Sequence, residues 1–198
     1  GRFLLSAVGK LNLYSVLSET ILHVRNPQGR AGFIVPTGIC TDDSNKALFA
    51  AMVTSRSLVS LYDFENAASG KKLFEDVDSR FKFSLLTVGP AEQTDFAFFM
   101  GHPSDLSDER RHFSLTADDF ALINPNTKTA PIFRSKADAE LAKKIYRHVG
   151  VLWDETREDG NPWGIRFRQG LFNMTSDSNL FLTAADMVSR RGAETQRG

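Results

Sequence analysis

A short apolar run closed by proline, Ala31-Gly32-Phe33-Ile34-Val35-Pro36, follows directly on a Pro/Gly turn, and this narrows the possible folds more than any other feature of the chain. Upstream, Leu13, Val16, Leu17, Thr20, Ile21 and Val24 share one face at a 3.6-residue period, predicting an amphipathic helix over 10–25. Asn26-Pro27-Gln28-Gly29 ends it, because proline cannot continue a helix and glycine supplies the turn. The apolar run itself reads as a strand buried on both faces. Next, Thr41-Asp42-Asp43-Ser44 offers N-caps for a second helix with Leu48, Phe49, Met52 and Val53 inward. Leu58–Phe64 reads as a second buried strand, 65–80 as a polar loop interrupted by Leu73-Phe74, and Phe81–Val88 as a third strand. Strand, helix, strand in this rhythm is the pattern of an open α/β sheet.

After Gly89-Pro90 the character changes. Asp95–Phe99 reads as one more strand and 101–111 as a charged, turn-rich stretch. Thr116-Ala117-Asp118-Asp119 is a capping box for a short helix that Pro125 must end. Ser135-Lys136-Ala137-Asp138 repeats the device before Leu141, Ile145 and Val149. Beyond Gly150 the pattern gives turns and short strands around Trp153, Trp163 and Phe167, then a polar tail from Ser189 that is expected to fray. A boundary near residue 100 gives two regions, 1–100 and 101–198.

The balance of 24 basic against 24 acidic residues gives no whole-chain field for nucleic acid or membrane, so DNA binding would need local basic patches. No apolar run approaches the roughly 20 residues that span a bilayer, and no signal segment opens the chain. Cys40 stands alone, which excludes an internal disulfide and fits a reducing compartment; a cytoplasmic location is expected. Gly1 opens the chain without methionine and in mid-pattern, and the sequence reads as a piece of something longer.

Familiar chemistry is quickly set aside. There is no GxGxxG turn, and Ser69-Gly70-Lys71-Lys72 lacks both the first glycine and the Ser/Thr of a phosphate loop. His23, His102, His112 and His148 are scattered without metal-ligand spacing, so no metal site is expected. The acidic pairs Asp42-Asp43 and Asp118-Asp119 sit at helix starts, where they favour the macrodipole.

Three landmarks in order and spacing carry more. Asn12-Leu13-Tyr14 opens the first helix, Gly29-Arg30-Ala31-Gly32-Phe33-Ile34-Val35-Pro36 forms the first strand, and Leu73-Phe74-Glu75-Asp76-Val77-Asp78-Ser79 leads into the apolar run 81–88. Over about the first 90 residues these strings resemble the C-terminal half of the catalytic domain of adenine-N6 DNA methyltransferases from restriction–modification systems, of the large single-chain (type IIG-like) kind. A looser similarity to the extension of those proteins runs through Pro131-Ile132-Phe133-Arg134 and Asn161-Pro162-Trp163-Gly164. The resemblance implies the C-terminal half of a Rossmann-like S-adenosylmethionine methyltransferase sheet with its last strand antiparallel to the first, followed by a mixed α+β extension leading into a DNA target-recognition region.

It also implies site residues. Asn12, Leu13, Leu17 and Pro36 would border the cofactor, S-adenosyl-L-methionine; some relatives carry an aromatic residue where this chain has Leu17. Phe74 would stack on an adenine flipped out of double-stranded DNA, with a hydrophobic plug as its plainer alternative. Arg134, Lys136, Arg166 and Arg168 could contact phosphates, or equally form a solvated helix face and an edge strand. Two departures weigh against activity of the chain alone. The Gly-rich cofactor loop and the Asn-Pro-Pro-aromatic catalytic motif are both absent, and Asn26-Pro27, Asn124-Pro125 and Asn161-Pro162 read as turns. No catalytic residue is therefore assigned, and the expected partners are DNA and the missing N-terminal half. The other readings are a non-catalytic remnant or DNA- or subunit-binding module, and an unrelated α/β protein, which a placement of 81–88 outside the sheet containing 31–36 would favour.

Overall fold

In a computed structural model, which describes residues 3–9, 11–168 and 170–182, the chain is a mixed α/β protein built on one five-stranded sheet. The elements are α1 (Leu13–Val24), β1 (Ala31–Pro36), α2 (Gly38–Thr41), α3 (Lys46–Thr54), β2 (Leu58–Glu65), β3 (Lys82–Val88), β4 (Thr94–Met100), β5 (Phe113–Leu115), α4 (Ala117–Ile123) and α5 (Lys136–Val149). Strand order is β1-β3-β2-β4-β5. The third strand lies antiparallel to both β1 and β2, and β4 runs parallel to β2. Residues 31–36, 58–65 and 82–88 thus share one sheet with the last strand antiparallel to the first. The carboxyl ends of β1, β2 and β4 meet at one rim, beside the start of β3.

The core lies on one face of this sheet. Phe49, Phe96, Phe98, Phe113 and Phe120 are almost wholly buried there and meet edge-on or stacked, with Ile39, Leu48 and Met52 between them. All five helices contribute to that cluster. Strand residues alternate between faces, so Phe64, Ala97 and Met100 form a second, smaller cluster, covered by Leu73 and Leu106 from loops.

Several expectations are corrected. The first strand is an edge strand, not one buried on both faces: only Val35 is buried and Ile34 is 56% exposed. The first helix meets the core with only part of its expected stripe: Ile21 packs half-buried there beside Tyr14 and Leu22. An amphipathic helix ordinarily buries its apolar stripe, yet Ser15, Ser18 and Glu19 are the buried residues, while Leu13, Leu17 and Val24 face outward. Buried partners make this possible. Ser15 donates to Asn45 Oδ1 (2.6 Å), Ser18 to the Tyr14 carbonyl (2.7 Å), and Glu19 accepts from the Leu5 and Ser6 amides (3.2 and 2.9 Å) and the Ser6 hydroxyl (2.5 Å). In α5 the buried residues are Ala139 and Lys143, and Leu141, Ile145 and Val149 are exposed.

At 41–44 the chain forms the end of the short α2 and a 3-10 turn; α3 begins at Lys46 without a side-chain cap, because Asn45 is committed to Ser15, Tyr14 and the Gly38 carbonyl. The Thr116/Asp119 capping box forms as expected, and Ser135 caps α5 through the Asp138 amide. The sheet continues across residue 100 through β5, and the first compact unit is Gly1–Pro162, the second Trp163–Gly198. Where short strands were expected around Trp153, Trp163 and Phe167, the described backbone is turns and irregular chain. The tail from Ser189 lies outside the described residues. Among the described residues no helix is long and apolar enough to cross a membrane.

Candidate functional site

Open α/β sheets hold ligands outside the carboxyl ends of their strands, and this sheet opens a cleft of about 510 Å³ there. Asn12 and Pro36 both line it, so two of the four residues expected at the cofactor are brought together. Leu13 and Leu17 are not among its lining residues; they stand exposed on α1. Pro36, Phe81 and Lys82 also border a second, apolar cleft of about 250 Å³ that holds Phe74, Val77 and Phe83. Phe74 is 41% exposed and meets Phe83 edge-on at 4.8 Å between centroids, so it forms a partly open wall of that cleft against the sheet.

Asn66 holds the Phe74 loop. Wholly buried directly after β2, it donates through Nδ2 to the carbonyls of Phe74 (3.1 Å) and Val77 (3.0 Å), and its Oδ1 accepts the Phe74 N–H (2.8 Å). Its own backbone bonds Leu73 and Phe81. One side chain therefore does the work of a turn for the whole loop.

At the floor of the larger cleft lies Asp63, 2% exposed near the carboxyl end of β2. Thr37, just past β1, donates its hydroxyl to Asp63 Oδ1 (2.5 Å) and lies 3.2 Å from the Ser84 hydroxyl of β3. The Phe99 N–H of β4 reaches Oδ2 at 3.4 Å. Burial pushes the Asp63 carboxyl above the ordinary aspartate range, and the Thr37 and Phe99 hydrogen bonds offset only part of it. Opposite Asp63, β4 bulges: Tyr62 pairs with Ala97 but Phe64 with Met100, leaving Phe98 and Phe99 against one residue. Phe99 takes φ +60°, a left-handed conformation that costs a non-glycine residue about 1–3 kcal/mol. Its ring sits on the cleft wall with Lys82 Nζ 5.0 Å and the Arg134 guanidinium 4.4 Å from its centroid. Exposed cation–π contacts contribute about 0.5–1 kcal/mol each, which only just offsets such strain.

The remaining residues fall elsewhere. Lys136 starts α5, exposed, and its amide bonds the Arg110 carbonyl. Arg166 and Arg168 are exposed on irregular chain in the second unit. Cys40 is buried, and burial raises its thiol pKa, so it is poorly suited to nucleophilic work. A further polar cluster joins Tyr62 and His112 to Asp95 Oδ2, each at 2.8 Å; burial and then that hydrogen bond push Tyr62 up to about 12.

Asp63, Asn66 and Phe99 were not singled out from sequence. The available signals were slight: one carboxylate inside the apolar run Leu58–Phe64, and an Asn at its exit.

No family model matches the chain, and no curated protein matches it. Among solved structures, the chain is similar to one in a structure described as the basis of complex assembly and conformational transition of the type I restriction–modification system, with 13% identity and a TM-score of 0.38. The alignment covers 96% of this chain and 38% of that one.

Proposed function

We propose that this chain is the C-terminal part of a site-specific adenine-N6 DNA methyltransferase of a restriction–modification or phage-defence system, using S-adenosyl-L-methionine. The observation that carries the reading is the junction of two clefts at the carboxyl rim. One is lined by Asn12 and Pro36, the other by Phe74, and Pro36 with Phe81 forms their shared wall. The antiparallel β3 supports the sheet that the sequence resemblance implies.

Methylation of an adenine amino group requires the base to leave the duplex, at a cost of a few kcal/mol. Phe74 offers the extruded base an open π-face that recovers part of this cost, and Asn66 holds that face in place. Toward the cofactor this chain offers Asn12 and Pro36, beside the buried polar floor of Thr37 and Asp63; a mixed polar and aromatic wall of this kind suits a nucleoside. Bound S-adenosylmethionine supplies an activated methyl group. Arg134 and Lys136, with Arg166 and Arg168, would contact backbone phosphates, and sequence readout would belong to a separate recognition region.

The alternative, a subunit-binding module without catalysis, is favoured by one observation. The outward stripe Leu13, Leu17 and Val24 lies on a helix that packs near the edge strand β1. A bare strand edge and an uncovered apolar stripe both call for a covering element. On the methyltransferase reading, that element is the half carrying the Gly-rich loop and the Asn-Pro-Pro-aromatic motif.

The test is methyl transfer from labelled S-adenosylmethionine to mixed-sequence DNA. The chain alone should stay at background, and addition of the complementary half should restore transfer to adenine N6. Turnover by the chain alone would relocate the active site, and a reconstituted complex that binds DNA without transfer would leave the binding-module reading.

A further inference from the structure

We propose that Phe99 is a positioning residue that fixes Lys82 and Arg134 as a paired phosphate-binding site at the mouth of the carboxyl-end cleft, its ligand being the phosphodiester backbone of DNA. This rests on the methyltransferase reading for the identity of the anion, while the site itself stands on geometry.

Three observations converge on Phe99. It is the extra residue of a bulge at the rim of the sheet, and its backbone is left-handed. Bulges re-aim side chains, often beside functional sites. Both of its peptide groups are tied by other side chains: Asp63 Oδ2 accepts its N–H, and Arg111 Nη1 donates to its carbonyl at 3.3 Å. The surroundings thus hold a conformation that phenylalanine alone would leave. Finally, the ring so presented gathers two cations, each within about 5 Å of its centroid.

Bringing two like charges to one ring is unfavourable unless something negative completes the group. The nearby carboxylates do so only in part. Glu65 pairs with Lys82 at 2.6 Å, Asp63 is buried beneath, and Asp78 is taken by Arg80. Arg134 has no carboxylate partner among the described residues. A guanidinium seated over an aromatic face can still offer N–H groups to a phosphate, and an ammonium beside it adds a second charge. The site opens next to the Phe74 cleft, where the backbone of an extruded nucleotide must pass.

The experiment is a salt titration of binding by the full chain to a mixed-sequence DNA duplex, read by fluorescence anisotropy, with melting temperature measured for each variant. Each phosphate contact contributes about 0.9 to the slope of log K against log salt. Arg134→Gln should lower the slope by about 0.9. Phe99→Leu keeps an apolar side chain but removes the π-face, and should lower it by up to about 1.8, whereas Phe99→Tyr should leave it unchanged. A folded F99L variant with the wild-type slope overturns the proposal, as does absence of wild-type binding at low salt. If F99L does not fold, Lys82→Gln with Arg134→Gln decides: a joint loss of about 1.8 supports the paired site and an unchanged slope rejects it. Methylation by the reconstituted enzyme is scored separately. Transfer that persists beside an unaltered F99L slope overturns this inference alone, and absent transfer beside Phe99-dependent binding overturns the methyltransferase reading alone.

Discussion

Replacing Asn66 with alanine should release the Phe74 loop while leaving the sheet in place. The Asn66 side chain makes three hydrogen bonds of 2.8–3.1 Å to the main chain of Phe74 and Val77, and a longer one of 3.5 Å to Asp78. At a net value of about 0.5–1.5 kcal/mol for each of the three shorter bonds, their loss removes about 2–4 kcal/mol from loop closure. The freed carbonyls can turn to water, because 74–78 is mostly exposed, so the cost stays local. At about 1.4 kcal/mol per factor of ten, the open population of the loop should rise by at least about 10-fold. Asn66→Asp should be no better than alanine, since a carboxylate presents only acceptors to the Phe74 and Val77 carbonyls. Hydrogen exchange resolved to single amides is the assay. The Phe74 amide should lose protection in Asn66→Ala, while amides of β2 and β3 keep theirs. Unchanged exchange at Phe74 in a folded Asn66→Ala protein would refute the idea that this side chain closes the loop.

Phe74→Ala in the reconstituted enzyme should weaken base flipping by about 1–3 kcal/mol, the worth of a base–aromatic contact, and Phe74→Trp should retain much of it. Normal 2-aminopurine fluorescence at the target base with a lowered melting point would remove Phe74 from the site. Leu13→Lys with Leu17→Lys should leave the melting temperature of the chain within a degree or two, because both side chains are exposed, yet weaken its association with the complementary half in sedimentation; unaltered association would mean the stripe is not the interface. Glu19 gives a pH signature. Burial alone would raise its pKa, but the Ser6 hydroxyl and the Leu5 and Ser6 amides outweigh it and hold the carboxyl below the ordinary range. Its contribution is therefore present above the unfolded glutamate pKa and is lost as pH falls through the lower folded value. Acidification should free residues 3–9 from α1 before the sheet melts, and Glu19→Gln should shrink that pH dependence; a pH-independent segment would contradict it.

Periodicity and turn chemistry determine the elements of this protein. Leu13 to Val24 form a helix, Pro27 and Gly29 end it, the apolar runs near 31, 58, 82 and 94 are strands, and Thr116 with Asp119 caps α4, because each follows from bonds and sterics within a few residues. The same local signals cannot say which side of a helix faces inward. That depends on what the rest of the chain presents, and here Asn45, Leu5 and Ser6 offer polar partners, so α1 buries Ser15 and Glu19 and turns Leu13 and Leu17 out, while Ile21 and Leu22 keep to the core. Strand rank is equally nonlocal: the run 31–36 is apolar enough for a central strand, yet only the pairing order makes it an edge. The site divides along the same line. Asn12, Pro36 and Phe74 were legible as strings in order along the chain. Asp63, Asn66 and Phe99 became visible only when β2, β3, β4 and the 66–81 loop were brought to one rim, since a buried carboxylate, a main-chain clamp and a strained ring are defined by partners distant in sequence.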